Sequence, residues 1–415
     1  MAHLIQVPSI HHLASAPSEK AESAEIRAAR SVAEVEALRP AWAGWPAHRD
    51  SDIDFYLMIV RSRPEVLRPH VIGLFRNGQP TAILVGRLEQ KRLKIRVGYL
   101  SVLSPWVKCL TFVCGALHGD ASTDHARRLL REVASCLRQG EADLAVLEFV
   151  PLDSVLYQLA LALPGVAHAG PAPQGHSFMT VPDSIDEVYG RMSGQRRWHI
   201  RASAKKLRAG AAGVPKVVCY RNPRDLDRLF EDAEQIARKT YQRELGVGFS
   251  ETPEVRARLS LAAEKGWLRA YVLYLEDRPC AFLIGMIYGD TFLGEYTGYD
   301  HEFRHLSPGM VLIMHAIETF CEHADGDFVR QVDFGPGNAE YKEVLGDRTR
   351  PEATIYVFGS SLRGLALKYA WVAAGLVDRS ARRLLTAAGL FAKVKSRWRK
   401  HLARRSQAKA HGVKG

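Results

Sequence analysis

The sequence His305-Leu306-Ser307-Pro308-Gly309-Met310 marks the start of a predicted helix, and its position decides how the surrounding chain folds. Residues 292–299, which precede it, contain several aromatic residues and a threonine, a composition typical of a β-strand. Residues 310–323, which follow it, carry apolar residues at helical spacing. We therefore expect a strand, a tight turn and a helix in succession.

Three residues at this junction favour a helix start that binds an anion. Ser307 is a common N-cap residue, Pro308 suits the first helical position, and Gly309 lets a ligand approach the backbone closely. Free N–H groups and the helix dipole stabilise a phosphate there by about 0.3–1 kcal/mol when exposed and about 2 kcal/mol when partly buried. A capped helix without any ligand has the same sequence, so the three residues alone leave both possibilities open.

The composition is that of a folded protein, because 415 residues with 47% hydrophobic content can bury two or three cores. The six cysteines show no CxxC spacing and the histidines no ligand spacing, so we predict neither a metal site nor a disulfide framework. The first residues lack the pattern of a signal peptide, and no uninterrupted apolar run reaches the roughly 18 residues of a membrane span. These features favour a cytoplasmic protein.

The net charge of +12 is concentrated at the end of the chain. Residues 361–415 contain 14 Lys and Arg and one acid, whereas the rest of the chain, with 43 basic and 44 acidic residues, is nearly neutral. Residues 382–401 mix apolar and basic residues and predict an amphipathic helix on anionic lipid, worth about 1 kcal/mol per basic residue. A disordered solubilising tail is the alternative. Nucleic-acid contact is less favoured because no groove-reading or stacking motif accompanies the charge.

The first half of the chain has the pattern of an α/β domain. Residues 1–28 show no period and are expected to form a flexible leader. Ser31 and Glu34 form a capping box at a helix start, and Asn77-Gly78 is a hairpin signal. The other predicted elements are a helix at 54–60, strands at 71–76, 81–88 and 93–100, a helix at 124–139 and a strand at 143–150. Residues 101–119 fit either a strand or a loop.

The same order recurs 199 residues later, which predicts two copies of one domain. The matching pairs are Leu74 and Leu273, Pro80 and Pro279, Ala82 and Ala281, Leu84 and Leu283, and Gly86 and Gly285. The first copy is degenerate, because it lacks the Ser-Pro-Gly between its third strand and its helix. The predicted units are a leader at 1–28, a degenerate domain at 29–175, a second domain at 176–360 and a basic helical tail at 361–415.

Three further segments bear on a binding site. Residues 164–173 resemble a linker between the halves. The helical segment 195–209 holds six basic residues, which form either a solvated helix face or a basic wall towards an anionic ligand. Two more helices are predicted at 225–238 and 252–265, and the loop 242–250 between them is a candidate substrate lid.

The element order from residue 225 to 358, together with Leu306-Ser307-Pro308-Gly309, Asp333-Phe334-Gly335-Pro336-Gly337 and Tyr341-Lys342, resembles the GNAT acyltransferase fold. The duplication over residues 30–360 resembles the cellulose-biosynthesis (CelD-type) GNAT subfamily and the tandem Fem aminoacyl transferases. The resemblance implies an α/β fold with a mixed sheet and two tandem GNAT-like domains. It also implies acetyl-CoA or another acyl-CoA as co-substrate, bound between strands 292–299 and 329–334. The binding residues that it implies are Arg304, Ser307, Pro308, Gly309, Met310 and Asn338.

Acyl transfer from a thioester to an amine needs a neutral nucleophile, an oxyanion stabiliser and a proton for the departing thiolate. Glu295, in a strand beside the implied cleft, is the candidate base, or else a surface carboxylate. Tyr341 lies where GNAT enzymes commonly place a tyrosine acid, although a core tyrosine would also fit. Asp333 either orients the amine or caps the glycine turn after its strand. Lys342 is expected to contact a carbonyl or a phosphate, because nothing nearby in sequence argues for a lowered pKa.

We therefore expect an acyl-CoA-dependent acyltransferase that modifies an amine or hydroxyl of a sugar, polysaccharide precursor or lipid. A Fem-like enzyme with aminoacyl-tRNA as donor is one alternative. A non-catalytic adaptor that docks at a membrane synthase through residues 361–415 is another. In each case the protein is expected in the cytoplasm, where the basic tail can bring it to the inner face of the membrane.

Overall fold

The computed structural model describes residues 24–45, 48–98, 100–167, 172–209, 214–240, 248–323, 326–337 and 339–387. The predictions for Asn338, for the leader up to residue 23, for most of the candidate lid and for the tail beyond residue 387 lie outside the described residues. Among the described helices, none combines the length and the apolar character needed to cross a membrane.

The first half forms a meander of long strands with helices on its faces. Its elements are β1 (Glu25–Ala29), α1 (Val32–Ala37), α2 (Arg39–Trp42), a 3-10 turn (Arg49–Ser51), α3 (Ile53–Ser62), β2 (Val66–Arg76), β3 (Gln79–Arg92), β4 (Ile95–Val97), β5 (Leu100–Leu103), β6 (Trp106–Gly119), α4 (Thr123–Arg138), β7 (Leu144–Pro151) and α5 (Val155–Leu161).

The second half repeats this order after a set of helices. Its elements are β8 (Gln174–Thr180), α6 (Ile185–Gly190), α7 (Gly194–Arg208), β9 (Pro215–Tyr220), a 3-10 turn (Pro223–Asp225), α8 (Leu226–Ala237), α9 (Pro253–Glu264), β10 (Leu268–Leu275), β11 (Arg278–Tyr288), β12 (Thr291–Tyr299), a 3-10 helix (His301–Leu306), α10 (Pro308–Cys321), β13 (Gln331–Pro336), α11 (Glu340–Leu345), β14 (Arg348–Phe358) and α12 (Leu362–Ala387).

One twelve-stranded sheet runs through both halves in the order β1-β2-β3-β6-β7-β14-β8-β13-β12-β11-β10-β9, while β4 and β5 pair separately. Most neighbours are antiparallel, and the parallel pairs are β6 with β7 and β12 with β13. The halves join at the centre, where β14 of the second half pairs with β7 of the first half and with β8. This junction makes the sheet continuous and brings first-half residues close to second-half residues.

Local chemistry explains several of these elements. Ser31 and Glu34 form the expected capping box at α1. Asn77 and Gly78 both have positive φ, as a type I′ hairpin turn requires. The apolar stripe of α4 is buried against the first-half sheet, where Leu129, Leu130 and Val133 join one core cluster. The predicted mixed α/β fold with a repeated meander, helix and strand is confirmed.

Two sequence predictions of elements were wrong, and one strand, β8, was not predicted. Residues 25–28, expected in the leader, lie in β1 and pair with β2. The predicted strand 93–100 is interrupted because Gly98, with φ of 58°, turns the chain so that β4 pairs with β5; β6 is the third strand of the meander. Finally, β8 begins at the end of the predicted linker, and its partners β13 and β14 are distant in sequence. Such non-local pairing leaves little local signal.

Candidate active site

The site forms where β12 and β13 separate. These parallel strands pair from Thr291 with Gln331 to Leu293 with Asp333, and no pairing follows among the described residues beyond that point. A bulge lies at the same place, because Gly294 and Tyr296 pair with consecutive residues of β11 and leave Glu295 as the extra residue. Bulges redirect side chains, and this one places Glu295 in the lining of a cavity at the point of separation.

Two adjoining cavities open here. The larger, about 930 Å³, is lined by Arg304, Ser307, Gly309 and Met310 at the start of α10 and by residues of α7. The smaller, about 220 Å³, contains Glu295 and Lys342 in its lining. Tyr341, Thr297 and Ile313 line both cavities. The structure thus brings four of the six implied binding residues and three of the four candidate catalytic residues into one connected space.

The start of α10 differs from the predicted capped helix. Ser307 has φ 48° and ψ 47°, in the left-handed region, and its side chain makes no capping hydrogen bond, so its prediction as a side-chain N-cap was wrong. The preceding 3-10 helix ends at Leu306, so Ser307 is the single residue that links the two helical segments. Val311 N–H donates to Ser307 O at 3.1 Å. The N–H groups of Gly309 and Met310 therefore belong to the first turn, where a helix has no acceptor of its own.

Pro308 and Gly309 shape this helix start in different ways. Pro308 is buried and brings no N–H group, so it supports the turn instead of binding. A Cβ atom at Gly309 would lie 3.2 Å from Cδ1 of Tyr299, a tight contact. The missing side chain keeps the backbone N–H groups accessible from the larger cavity.

Glu295 is buried, with 7% of its side chain exposed, so it is not a surface carboxylate. Its Oε1 accepts a hydrogen bond from Arg49 Nη1, and its Oε2 lies 3.4 Å from Arg258 Nη1. Arg49 belongs to the 3-10 turn of the first half, and its guanidinium also donates to Asp50 at 2.7 Å. Two arginines hold this carboxylate, so abstraction of a proton by Glu295 competes with two ion pairs.

Asp333 takes part in a buried hydrogen-bonded chain. Its Oδ1 accepts from Gly335 N–H at 2.7 Å, which is the turn cap foreseen as one of its two roles, and from His176 Nε2 at 2.6 Å. His176 Nδ1 lies 2.9 Å from Glu352 Oε2. Burial opposes a charge on His176, but the hydrogen bonds to Asp333 and Glu352 outweigh it and raise its pKa to about 9. A protonated His176 donates to both carboxylates.

Lys342 folds back onto the turn that follows β13. Its Nζ donates to the carbonyl oxygens of Gly335 at 3.1 Å and Pro336 at 2.9 Å. Burial lowers the pKa of Lys342, and the charge of Asp333 opposes that change. Nothing nearby in sequence indicated this lowered pKa, because the burial comes from tertiary packing. Beside it, the ring of Tyr341 packs edge-on against Phe334 with centroids 5.8 Å apart.

The basic helix α7 borders the larger cavity, which Arg196 and His199 line. Arg196 donates to Glu340 at 2.8 Å, and Arg201 donates to Asp186 at 2.8 Å, as in a solvated helix face. Glu340 lines the same cavity, so the role of α7 as a basic wall towards an anionic ligand stays a prediction.

Sequence reasoning missed Arg49, Arg258 and His176. Arg49 is 246 residues from Glu295, and His176 is 157 residues from Asp333, so no local spacing connects them. Arg49 comes from a 3-10 turn of the first half, and His176 from β8, whose partner strands are distant in sequence. Because these residues meet their partners only in the folded chain, no local sequence pattern identifies them.

A cluster outside the site has metal-ligand chemistry but is held by arginines. His70, Cys136 and Glu141 offer ligand atoms within 4.8 Å of one another. Arg68 donates to Glu141 at 2.7 Å and its Nη1 lies 3.0 Å from His70 Nδ1. Burial also raises the pKa of the Cys136 thiol to about 12. A guanidinium beside the ligand atoms and a protonated thiol oppose a cation here.

Comparisons with known proteins show which fold this chain shares. Residues 194–343 match the family model described as an acetyltransferase (GNAT) domain. A search of curated proteins finds no match to the chain. Among solved structures, FemX aligns at a TM-score of 0.51 and 11% identity, over 80% of this chain and 93% of FemX.

Two further structures align at a TM-score of 0.48. L-PGS from Bacillus licheniformis is 13% identical over 82% of this chain and 96% of its own. A tandem GNAT protein from the clavulanic acid biosynthesis pathway is 15% identical over 82% of this chain and 100% of its own. The CelD-type subfamily stays a prediction. The domain match, the shared fold of FemX and the repeated sheet together assign the GNAT acyltransferase fold to this chain.

Proposed function

We propose that the protein transfers an acyl group from acyl-CoA to an amine or hydroxyl of a sugar, a polysaccharide precursor or a lipid. The observation that carries this proposal is the pair of adjoining cavities that share Tyr341. One holds a helix start suited to a pyrophosphate, and the other holds Glu295 and Lys342. A donor spanning both would bring its thioester to their junction.

In this proposal the larger cavity takes the nucleotide part of the donor. The N–H groups of Gly309 and Met310 donate to the pyrophosphate at the positive end of α10. Arg304, which is exposed at the rim, adds positive charge, and Arg196 and His199 face it from α7. About 930 Å³ is enough for a large cofactor, since ligand pockets commonly measure roughly 300–1,000 Å³.

The smaller cavity takes the acyl group. Its inner lining is apolar and comes from both sides of the strand separation: Leu283, Phe292, Ala316, Ile317, Phe320 and Val332. Its polar end contains Glu295, Tyr341 and Lys342. An apolar space of about 220 Å³ suits an acyl chain longer than acetyl, so medium-chain donors should bind at least as well as acetyl-CoA.

The reaction then follows from the polar end. The acceptor nitrogen or oxygen attacks the thioester carbon, and collapse of the tetrahedral intermediate breaks the carbon–sulfur bond. Tyr341 gives its hydroxyl proton to the departing thiolate. The acceptor loses a proton, which passes through water held near Glu295 to the Tyr341 phenolate and restores its hydroxyl. Because Glu295 is paired with Arg49 and Arg258, its carboxylate mainly orients that water.

Calorimetry with acetyl-CoA and longer acyl-CoAs tests the donor. We expect binding, with the highest affinity for a chain that fills the smaller cavity. If none of these donors binds the full-length protein, the proposal is wrong. Salt-sensitive binding of tRNA in the same assay would instead support the Fem-like alternative, because phosphate contacts release counterions.

Turnover of Tyr341→Phe tests the chemistry. Loss of a positioned proton donor should lower kcat by about 10²–10³-fold while the affinity for the donor changes little. Tyr299→Phe is the matched control, since Tyr299 lines only the larger cavity, and its kcat should stay near that of the unmodified protein. Equal kcat values for the two variants would remove Tyr341 from the mechanism.

A further inference from the structure

A third cavity of about 880 Å³ lies in the first half, between the sheet, the β4–β5 ribbon and α12. It shares no lining residue with the two cavities of the candidate active site. Its floor is apolar and is formed by Leu93, Ile95, Val107, Leu144, Val146 and Tyr356. The size is that of a small-molecule site, and the lining suits a hydrocarbon chain.

The rim of this cavity is mainly basic. Arg92, Lys94, Arg96 and Arg379 line it and are exposed. Lys91 also lines it, but its Nζ is held by Glu89 at 2.7 Å. The acids in the lining are Asp378 and Glu148. Asp378 Oδ1 accepts a hydrogen bond from Gly98 N–H at 2.6 Å. Burial raises the pKa of Glu148, although the charge of Lys91 opposes this change. Four exposed cations around an apolar floor match an anionic amphiphile.

Both elements that cover the cavity expose apolar side chains. The ribbon side exposes Leu100, Val102, Leu103 and Trp106, and α12 exposes Leu362, Tyr369, Leu376 and Val377 on the side of the helix away from its cavity-lining residues. The two sides are neighbours, because Arg363 of α12 donates to Trp106 O and Asp378 accepts from Gly98. We name this surface, from residues 92–106 and 362–379, the ribbon–α12 face. Apolar and aromatic side chains set among Lys and Arg are typical of a surface that lies in a lipid interface.

The cavity also contains a buried donor without an acceptor. Nε1 of Trp371, whose ring lines the cavity, is buried and has no hydrogen-bond partner among the described residues. Buried polar atoms are nearly always paired, so an unpaired indole N–H calls for an explanation. The ester carbonyl of a lipid in the cavity would accept this hydrogen bond.

We propose that the ribbon–α12 face binds an anionic phospholipid at a bilayer surface, with one acyl chain in the cavity and the phosphate at the basic rim. A free phosphate would leave the apolar floor and the exposed apolar side chains unused. An uncharged lipid would bring no negative charge to the four basic rim residues, none of which forms an ion pair with the described acids. The site is independent of acyl transfer, because it shares no residue with the candidate active site.

Photo-crosslinking to vesicles tests the site in the full-length protein. The vesicles contain phosphatidylglycerol and phosphatidylcholine, with a photoactivatable group at the end of one acyl chain of the phosphatidylglycerol. We expect cross-links in residues 93–109, 144–149 or 371–379. Lys94→Glu/Arg96→Glu should lower their yield about tenfold, and Arg127→Glu/Arg131→Glu, an equal charge change on the exposed face of α4, should not.

Each result decides the proposal. All four substituted side chains are exposed, so the unfolding temperature should stay constant and verify that the variants fold. Cross-links confined to other segments, equal yields from both double variants, or equal yields from labelled phosphatidylcholine would each overturn it. Competition by excess glycerol phosphate would also overturn it, since the ligand would then be a soluble phosphate. Failure here leaves acyl-CoA binding unaffected, so the two proposals are tested separately.

Discussion

The two halves start their central helices in opposite ways. In the first half, Ser122 accepts from His125 N–H at 3.4 Å, Asp120 accepts from Ser122 N–H at 3.1 Å, and the first turn of α4 carries Asp124. In the second half, Ser307 makes no capping bond, and the first turn of α10 carries no acid. A side-chain cap occupies one of the free N–H groups of a helix start, and an acid in the first turn repels an anion, so α4 suits a phosphate less well than α10 does. The open start lies in the half whose residues line the two active-site cavities.

The first half nevertheless shapes the site of the second. Its Arg49 reaches Glu295, and its strand β7 pairs with β14, the strand that carries Glu352 beside His176. The first half, which was predicted to be degenerate, therefore provides a charge and a neighbouring strand that support the site of the second half. Three experiments test this division of labour, beginning with the largest expected effect.

Arg49→Ala should destabilise the protein by about 3–5 kcal/mol, because it leaves the buried Glu295 carboxylate with a single ion-pair partner. Turnover should fall with it, since Glu295 would reorient. Urea unfolding and steady-state kinetics measure the two effects.

Arg63→Ala is the matched control for Arg49→Ala. Arg63 also forms an ion pair between the halves, with Glu254 at 2.7 Å, but the pair is about a quarter exposed and lines neither active-site cavity. We expect a loss of at most about 1 kcal/mol and full turnover. If the two substitutions have equal effects, the contact between Arg49 and Glu295 has no special role.

Two buried histidines, His70 in the first half and His176 in the second, should contribute to the unfolding free energy with opposite pH dependence. The pKa of His176 is raised to about 9, so its contribution is complete below pH 6.5 and is lost as the pH rises through 9. Burial, together with the charge of Arg68, lowers the pKa of His70 to about 4. Between pH 6.5 and 4 the unfolded chain therefore binds a proton at His70 that the folded protein does not, and the folded protein loses stability as the pH falls. Each contribution is at most about 3 kcal/mol, at about 1.4 kcal/mol per pH unit.

Unfolding free energies across pH 4 to 10 measure these contributions. His176→Gln should lose stability at pH 6 and approach the unmodified protein near pH 10. His70→Gln should remove the decline between pH 6.5 and 4. A His176→Gln variant that follows the unmodified protein at every pH would show that His176 is neutral in the folded state.

Gly309→Asp should weaken acyl-CoA binding by about 100-fold, because it gives α10 the first-turn acid that α4 already has. Gly309→Ala introduces the same Cβ beside Tyr299 without the charge and should weaken binding only a few-fold. Calorimetry separates the steric and the electrostatic effect. Equal losses from the two variants would mean that no phosphate lies at this helix start.

Local sequence patterns predicted much of the fold. The capping box at Ser31, the Asn77-Gly78 hairpin and the apolar stripe of α4 are short-range signals, and the structure contains all three elements. The sequence offset of 199 residues between the two meanders is also found in the structure, where equivalent residues of the two halves form equivalent strand pairs. These features depend on residues close together in the chain, so periodicity and turn chemistry are sufficient to find them.

The candidate site was predicted only in outline. Glu295, Tyr341 and Lys342 do share a cavity, and Ser307, Gly309 and Met310 line the adjoining one. The left-handed conformation of Ser307, the lowered pKa of Lys342 and the two arginines on Glu295 were not foreseen. Each depends on packing or on charges that come from distant parts of the chain.

The sequence by itself thus determined most of the helices, the hairpins and the duplication, because these follow from residue type and spacing within a few turns. Only the tertiary structure decided the open start of α10, the junction of the two halves in one sheet, the charges around Glu295 and Asp333, and the cavity under α12. Burial and electrostatic pairing arise between residues more than 100 positions apart, and no local pattern encodes them.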